Sequence, residues 1–410
     1  MSPLEVRASL SLASIFGLRL LGMFVILPVF AIYAEQLPGG SNLTLVGIAL
    51  GAYGLTQALL QIPFGAWSDR FGRKPVIYAG LSLFAFGSFV AAAAPDIYLV
   101  IVGRILQGAG AISAAVMAMA ADLTRDEHRA KAMAMIGSTI GLAFAVSLVA
   151  SPWLNRHIGV PGIFAMTGGL AIAAMLVVWH IVPDAQHMRP NERAGTLQAF
   201  WQALIDPQLA RLNFGVFALH AVLMALFIAI PFSLRDAGLA VDDHWKVYLP
   251  VMLGSFVLML PAVMEQGRGM YLKRYFCASV ALLVLAHFAL PYLSGSVGLI
   301  ALFLLLFFTP FNILEALLPT LTSKIAAPAS RGVAIGLYSS LQFLGAFSGA
   351  VAGGYVYGRW GLNAVVSLNA GLLLIWLVTS ITMRVPLTSA VDRAAFDEQN
   401  AGHTITGKAS

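Results

Sequence analysis

The chain has 410 residues, of which 59% are hydrophobic and only 10% are charged, and its mean hydropathy is +0.85. Soluble domains are closer to half apolar and a quarter charged, so the composition excludes a soluble protein and indicates one that crosses a membrane many times. The net charge of +6 does not indicate nucleic-acid binding, because the cations lie in short connections between apolar runs. The single cysteine, Cys277, excludes an internal disulfide bond and a metal site with several cysteines.

Twelve apolar runs take up nearly the whole chain. A helix that crosses a bilayer needs roughly 20 apolar residues, and runs of about this length predict an all-α membrane protein with twelve transmembrane helices. The first run is too long for the apolar part of a signal peptide and contains Arg19, so we expect it to span the membrane. The predicted spans are 9–33, 44–67, 75–94, 97–121, 131–153, 160–182, 209–233, 247–264, 271–290, 297–322, 331–357 and 362–384.

The distribution of cations predicts the orientation of the chain. An even number of spans places both termini on the same side of the membrane. Of the 24 lysines and arginines, two lie within predicted spans and only four lie in connections on the side opposite to the termini, namely Arg156, Arg235, Lys246 and Arg359. Cytoplasmic connections carry an excess of Lys and Arg. We therefore predict a multi-pass protein of the plasma membrane, the bacterial inner membrane, with both termini in the cytoplasm.

Arg19 is the first charged residue expected inside the membrane. It lies ten residues into span 1, which at about 1.5 Å per residue is roughly 15 Å deep and near the midplane, where transporters bind their substrates. The side chain is expected to bind an anionic substrate or to balance an acidic side chain. Met23 and Phe24 follow it and are candidates for the wall of a substrate cavity.

The segment 65–75 is rich in charge and separates two apolar runs. It reads Gly-Ala-Trp-Ser-Asp-Arg-Phe-Gly-Arg-Lys-Pro. This closely resembles the pattern G-x-x-x-D-R-x-G-R-K of the loop between helices 2 and 3 of the major facilitator superfamily. On this ground the chain is identified as a member of that superfamily.

The resemblance implies a role for this loop in conformational change. In the superfamily the charge cluster is thought to latch two halves of the protein in the outward-facing state. Asp69 is expected near a helix start, where the helix dipole favours a negative charge, and Arg73 is placed to pair with Asp122 at the inner end of span 4. The alternative is a basic loop that only sets topology. The predicted latch consists of Gly65, Asp69, Arg70, Gly72, Arg73, Lys74 and Asp122.

Span 4 contains Gly-Arg-Ile-Leu-Gln-Gly-Ala-Gly at positions 103–110. It resembles the superfamily pattern R-x-x-Q-G-x-G, which is implicated in proton transfer in the antiporter branch. Arginine does not release a proton at physiological pH, so Arg104 is expected to hold a hydrogen-bond network or to act on a nearby acid; a structural tie is the alternative. Gln107 is predicted to line the substrate cavity.

Glycine patterns in spans 5 and 11 have different meanings. The antiporter branch has G-x-x-x-G-P-x-x-G-G in span 5, whereas this chain keeps Gly137 and Gly141 but lacks the Gly-Pro step and the glycine pair. This departure weakens the prediction of antiport. In span 11, the spacing of Gly345, Gly349 and Gly353 predicts close helix packing.

The connection at 183–208 divides the spans six and six. Its residues 197–205 carry apolar side chains at helical spacing, which predicts a short amphipathic helix, either on the inner membrane surface or packed under the helices. Short similar segments occur in spans 1 and 7 and in spans 5 and 11. The resemblance implies two six-helix halves, and the predicted domains are 1–182, the linker 183–208, 209–384 and a cytoplasmic tail 385–410.

Glu315 in span 10 is the acidic residue that we most expect within the membrane. A carboxyl group at low dielectric takes up a proton readily, so Glu315 is the first candidate for the proton carrier. A carboxylate that caps a helix or pairs with an arginine is the alternative. His220 in span 7 is either a second titratable site or a histidine bonded to a serine or carbonyl. Met224, Phe227 and Asn312 are further cavity candidates.

These features predict a secondary transporter, similar to the twelve-span drug:proton antiporters, to whose span 1 the segment 20–28 is also similar. It would export amphipathic small organic molecules in exchange for protons by alternating access. Such molecules are expected because the soft and aromatic side chains of the predicted cavity accommodate varied shapes. The alternatives are a proton-coupled or facilitative carrier of a sugar or organic anion, or a membrane sensor without transport. We expect no enzyme activity, cofactor, metal or nucleic-acid partner, and a monomer in the lipid bilayer.

Overall fold

The computed structural model describes residues 1–183, 197–264, 269–327 and 330–383. The predicted tail 385–410 and residues 184–196 of the predicted linker lie outside the described residues. Within them, every element is an α-helix except for a 3-10 turn at Val241–Asp243. The helices are α1 Pro3–Phe24, α2 Leu27–Ala34, α3 Leu43–Phe71, α4 Arg73–Ala92, α5 Ile97–Ala109, α6 Ser113–Asp122, α7 Asp126–His180, α8 Leu197–Ile205, α9 Pro207–Asp236, α10 Trp245–Met264, α11 Gly269–Leu293, α12 Val297–Ile325 and α13 Arg331–Ile381.

The described residues contain ten helical stretches that are long and apolar enough to cross a membrane. The all-α fold and its membrane character are therefore as predicted. Two of the ten stretches are 54 and 51 residues long, far more than the roughly 20 residues that one crossing needs. Each of them contains one residue with a non-helical backbone, Gly159 in α7 (φ 65°) and Gly361 in α13 (φ 71°).

Spans 1 and 4 are each present as one apolar stretch, as predicted, but each is divided into two helices. Span 1 breaks between α1 and α2 at residues 25 and 26, where Pro28 lacks an N–H and its ring clashes with the carbonyl group four residues earlier. Span 4 breaks between α5 and α6 at residues 110–112. At that break Gly110 lies so close to Gly80 of α4 that a side chain at either position would meet the neighbouring helix.

Helix α13 packs closely against two other helices. On one side Gly345, Gly349 and Gly353 lie against the backbone of α9, where a methyl group on Gly353 would come within 2.7 Å of the Cα of Ala225. This confirms that the glycine spacing in span 11 serves helix packing. On another side α13 meets the first half of α3, where a methyl group on Gly54 would lie 2.8 Å from the carbonyl oxygen of Phe343.

The short helix α8 lies beside the last turn of α12 and the first turns of α13. Ala203 is buried in a small apolar cluster with Ala326 and Ala334, and Phe200 packs against that cluster. Trp201 and the end of α8 remain exposed. The amphipathic helix was therefore predicted correctly, and it has one face on the protein and another, apolar face directed away from it.

Candidate functional site

Two arginines and a tyrosine are buried together among the first helices. Arg19 of α1 and Arg104 of α5 are 3% and 2% exposed. Their guanidinium carbons lie 5.7 Å and 5.1 Å from the ring centre of Tyr53 of α3. The sequence predicted both arginines as functional and missed the tyrosine that connects them.

Arg19 binds side chains of two other helices. It donates one hydrogen bond to the hydroxyl oxygen of Ser113 (2.9 Å), the first residue of α6, and another to the amide oxygen of Gln57 in α3. The amide nitrogen of Gln57 donates in turn to Gln61 (3.2 Å). Arg19 does not balance an acidic residue, since no salt bridge to it occurs among the described residues.

Arg104 binds mainly to the backbone of α3. It donates to the carbonyl oxygens of Ala49 and Leu50, both at 3.3 Å, and to the amide oxygen of Gln107 at 2.9 Å. The amide nitrogen of Gln107 donates to Ser88 at 2.7 Å. Gln107 is fully buried, so in this structure it belongs to an internal network and not to a cavity wall. The contacts of Arg104 tie α5 to α3.

A second polar cluster joins three of the later helices. Gln342 of α13 donates to the ring nitrogen Nε2 of His220 in α9 (2.8 Å) and to Oε1 of Glu315 in α12 (3.3 Å). Nε2 of His220 lies 3.6 Å from Oε2 of Glu315. The sequence named Glu315 and His220 separately, and the structure brings them together through a glutamine that the sequence reasoning missed.

The hydrogen bonds around His220 fit a tautomer with the hydrogen on Nδ1. Its Nδ1 lies 3.0 Å from the carbonyl oxygen of Val216 and therefore carries the hydrogen, because a carbonyl oxygen only accepts. Nε2 is then the acceptor for Gln342. Oε2 of Glu315 is buried and has no hydrogen-bond partner among the described residues, and neither has the hydroxyl of Tyr338, one turn before Gln342. A proton on Oε2 would therefore face an acceptor.

Aromatic rings fill the space beside this acid. Phe144 of α7 lies 6.0 Å from Phe311 and 6.3 Å from Phe227, measured between ring centres, and Phe24 lies 5.1 Å from Phe144. Phe311 is one helical turn from Glu315 and 6.0 Å from the ring of His220. The predicted cavity residues Phe24 and Phe227 thus meet at one aromatic cluster.

The other cavity candidates lie at the edges of this region. Met23 and Met224 are buried in the apolar cores on either side. Asn312 of α12 donates to Ser255 of α10 at 3.0 Å, so its amide group is engaged within the protein. Among the described residues, no group of three or more His, Cys, Asp or Glu side chains is arranged to hold a metal ion.

Three polar residues of the segment 65–75 and of α6 gather around Arg73 of the predicted latch. Its guanidinium donates to Asp122 at 2.8 Å, to the hydroxyl oxygen of Ser68 at 2.8 Å, and to Asp69. Gly72, with φ of 94°, is the single residue between α3 and α4, and only glycine adopts this conformation readily. Gly65 lies close to α6, where a methyl group on it would come within 3.3 Å of Ala114.

One expectation about the latch is wrong. Asp69 was expected near a helix start, but it lies in the last turn of α3, at the negative end of that helix, and it does not cap α4. Its charge is compensated by Arg73 instead. The neighbouring Arg70 stacks on the ring of Phe71 at 5.3 Å.

Comparison with known proteins identifies the family. A family profile described as Major Facilitator Superfamily matches residues 12–350. The chain belongs to this superfamily. As a member of a superfamily of transporters it is a transport protein and not an enzyme, as the sequence predicted.

Two curated relatives and one solved structure illustrate this membership. The inner membrane transport protein YajR of Escherichia coli K12 is 42% identical over 387 residues, which cover 94% of this chain and 85% of YajR. The multidrug resistance protein MdtH of Aeromonas hydrophila is 26% identical over 346 residues, covering 83% of this chain and 85% of MdtH. A bacterial homologue of the human lysosomal transporter Spinster, in an inward-facing and unoccupied conformation, has the same fold, with a TM-score of 0.72, 15% identity and coverage of 93% and 98%.

In this member of the major facilitator superfamily, polar contacts join early and late helices near one end of the bundle. Arg235 at the end of α9 forms an ion pair of 2.7 Å with Glu35, which follows α2. Asn155 of α7 donates to Asp242 of the 3-10 turn at 3.3 Å. Gly354 of α13 lies against Leu43, the first residue of α3, at the same end. By contrast, the described hydrogen-bond partners of Arg73 all lie in α3 and α6.

Proposed function

We propose that the protein is a secondary transporter of the inner membrane that exports amphipathic small organic molecules in exchange for protons. The observation that carries this proposal is the placement of Glu315. Its carboxyl group lies within α12, is connected to His220 and Gln342, and is adjacent to the aromatic cluster of Phe144 and Phe311. An acid at low dielectric exchanges its proton when its surroundings change, and the aromatic surface suits apolar ligands of varied shape.

Alternating access requires two groups of helices that move against each other. We count α7 and α13 as two crossings each, divided at Gly159 and Gly361, which gives twelve crossings in two six-helix halves with both termini in the cytoplasm. The halves are then α1–α7 and α9–α13, and α8 belongs to the linker between them. The protein is expected to work as a monomer, since each half supplies one wall of the central region.

The contacts between the halves support an inward-facing state. With the termini inside, the Glu35–Arg235 and Asn155–Asp242 contacts and the α3–α13 glycine contacts close the outer end. Opening of this end while the inner ends approach would carry a ligand outward. Protonation of Glu315 from the outer side and its loss on the inner side would couple that motion to the proton gradient.

A direct test is proton movement in proteoliposomes that contain the purified protein and a pH-sensitive dye. A panel of neutral and charged amphipathic compounds is added to vesicles with an imposed pH gradient. We expect some of the compounds to trigger proton flux that protein-free vesicles lack. Compound equilibration without proton flux would favour a facilitative carrier, and the absence of both, together with binding, would favour a sensor.

The latch provides a separate prediction. Arg73→Gln removes the ion pairs with Asp122 and Asp69, which lie within one proposed half and hold the loop at 65–75 in the shape that is expected to meet the other half in the outward-facing state. A partly exposed ion pair contributes up to about 1 kcal/mol, equivalent to an approximately fivefold change in a conformational equilibrium. We therefore expect compound-triggered proton flux to fall by up to about fivefold, while the protein still folds. Asp122→Asn should have the same effect, and the double variant should be no worse than either single one.

Arg70 is a member of the predicted latch, but its described contact is the ring of Phe71 and it forms no ion pair among the described residues, so Arg70→Gln is the control for the ion pairs of Arg73. Its flux should remain near that of the wild type. Equal loss in Arg70→Gln and Arg73→Gln would show that the loop acts only through its total charge. Additive losses in the double variant Arg73→Gln/Asp122→Asn would contradict the direct pair.

A further inference from the structure

The buried arginines create an excess of positive charge between α1, α3, α5 and α6. Arg19 and Arg104 both lie against the ring of Tyr53, and neither has an acidic partner among the described residues. A buried charge without compensation is costly. Arginines inside membranes usually face a partner or a polar cavity for this reason.

The break in span 4 adds to this positive charge. Helix α6 begins at Ser113 inside the protein, and no side chain caps its first turn. A helix start carries partial positive charge and unpaired N–H groups. Arg19 donates to the hydroxyl oxygen of this first residue, so a cation lies at the positive end of a helix. The guanidinium of Arg19 and the positive end of α6 repel each other unless an anion binds beside them.

Arg19 differs from Arg104 in how its guanidinium is held. Two of the three nitrogens of Arg104 bond to backbone carbonyls of α3, which do not leave without moving a helix, and the third bonds to the side chain of Gln107. Arg19 is held by two side chains, Gln57 and Ser113, and its Nε is buried without a hydrogen-bond partner. The side chain of Gln57 can rotate, which would free a guanidinium edge with two parallel N–H groups. Such an edge fits the two oxygens of a carboxylate.

The apolar part of such an anion has a place further along α1. Phe24 lies five residues after Arg19, about 7.5 Å along the helix axis and about 140° around it, so an anion that reaches both side chains runs obliquely across α1. Phe24 contacts Phe144, which in turn contacts Phe311 of the aromatic cluster. Beside Arg19, the hydroxyl of Tyr53 is a second buried group without a hydrogen-bond partner among the described residues. A molecule with a carboxylate at Arg19 and an aromatic or aliphatic body at Phe24 would satisfy both regions.

We infer that the exported amphipathic molecules are organic anions, and that Arg19 together with the uncapped start of α6 at Ser113 binds their carboxylate. This inference specifies the substrate class of the proposed function and rests on it. Arg104 holds α5 against α3 and adds positive potential without contacting the ligand. Glu315, on the far side of the aromatic cluster, carries the proton and does not bind the anion.

The test is binding without any gradient, so it does not depend on proton coupling. Protein in lipid nanodiscs is titrated with 4-phenylbutyrate, its uncharged amide 4-phenylbutyramide and the cation 4-phenylbutylammonium, and binding is measured by calorimetry; decanoate and decanamide form a second matched pair. We expect each carboxylate to bind at least about tenfold more tightly than its amide, a preference that corresponds to one charge-assisted contact. The cation should bind most weakly.

Arg19→Gln should remove the preference for the carboxylate, so that acid and amide bind equally. Arg19→Lys keeps the charge without the parallel N–H groups and should retain part of the preference. Arg359→Gln is the matched control, because Arg359 is an exposed arginine that donates to Tyr355, and it should leave the preference unchanged. If Arg19→Gln does not fold, the affinities of the wild type and of Arg19→Lys for each acid and its amide still test the inference.

Equal affinity of the wild type for acids and amides would overturn the inference, as would failure of both carboxylates to bind or persistence of the preference in Arg19→Gln. The proposed function is tested separately, by the proton flux in proteoliposomes. Proton flux triggered only by cations or neutral compounds would support proton-coupled export and overturn the anion site. A carboxylate preference that depends on Arg19, without any proton flux, would support the site and overturn proton coupling.

Discussion

Replacement of Glu315 by glutamine is expected to abolish proton flux triggered by transported compounds in proteoliposomes, to the level of protein-free vesicles. Glutamine keeps the size of the side chain and its hydrogen-bonding ability but does not take up a proton. The hydrogen bond that Gln342 donates to Oε1 of Glu315 (3.3 Å) can be accepted equally well by the amide oxygen of a glutamine. The variant should therefore fold and bind ligands while it loses the coupling step.

The same variant should still exchange a labelled compound across the membrane. Counterflow, in which unlabelled compound on one side drives labelled compound from the other, needs only the reorientation of the loaded protein and no net proton movement. A neutral side chain at position 315 mimics the protonated carboxyl group, so we expect counterflow of at least about half the wild-type rate. The contrast between lost proton flux and retained counterflow assigns the role of Glu315 to coupling rather than to binding.

Glu127→Gln is the matched control, because Glu127 is an exposed glutamate in the first turn of α7, paired with Arg125 at 3.0 Å. Its proton flux should equal that of the wild type. Proton flux that survives in Glu315→Gln would remove Glu315 as the carrier. Loss of counterflow together with proton flux would show that Glu315 binds the compound or supports the structure.

The fold was predictable to the extent that apolar length determines it. Runs of about 20 apolar residues gave the positions of the helices, and the glycine spacing in span 11 gave its close packing. The interruptions were missed, because they depend on contacts in three dimensions. Gly110 is one of 39 glycines in the chain, and nothing in its neighbouring residues shows that it lies against Gly80 of α4.

The candidate site was predictable only in its charged residues. Arg19, Arg104, Glu315 and His220 stand out because charge is rare inside membranes. Neutral polar residues such as Gln57 and Gln342 give a weaker signal, although both interrupt strongly apolar runs. The pairing of Glu315 with His220 was missed because it depends on the packing of α9, α12 and α13, which no spacing within a single span encodes.

A pair of glycine substitutions should separate the stability of a half from the movement between halves. A methyl group on Gly349 would overlap with the carbonyl oxygen of Ala221 in α9, and one on Gly47 of α3 would overlap with the carbonyl oxygen of Ala350 in α13. The two clashes are similar in kind. They differ in that α9 and α13 belong to the same proposed half, whereas α3 and α13 belong to different halves.

Gly349→Ala should destabilise the protein in every conformation. Overpacking typically costs about 1–3 kcal/mol, which for a half of this size lowers the melting temperature by about 2–12 °C. Thermal unfolding followed by size-exclusion chromatography measures this loss. Gly371→Ala is the control in the same helix, because a methyl group there meets no atom within 4 Å, and its melting temperature should be that of the wild type.

Gly47→Ala should instead leave the melting temperature nearly unchanged and favour the outward-open state, because the α3–α13 clash disappears when the outer end opens. Cys277 is the only cysteine, so a Cys277→Ser background permits a single probe at Ile32→Cys, a position that is buried near the outer contacts. A membrane-impermeant maleimide added from outside should label this probe several-fold faster in Gly47→Ala than in the parent. Unchanged labelling with a lowered melting temperature would mean that α3 and α13 do not separate, and alternating access between these halves would be wrong.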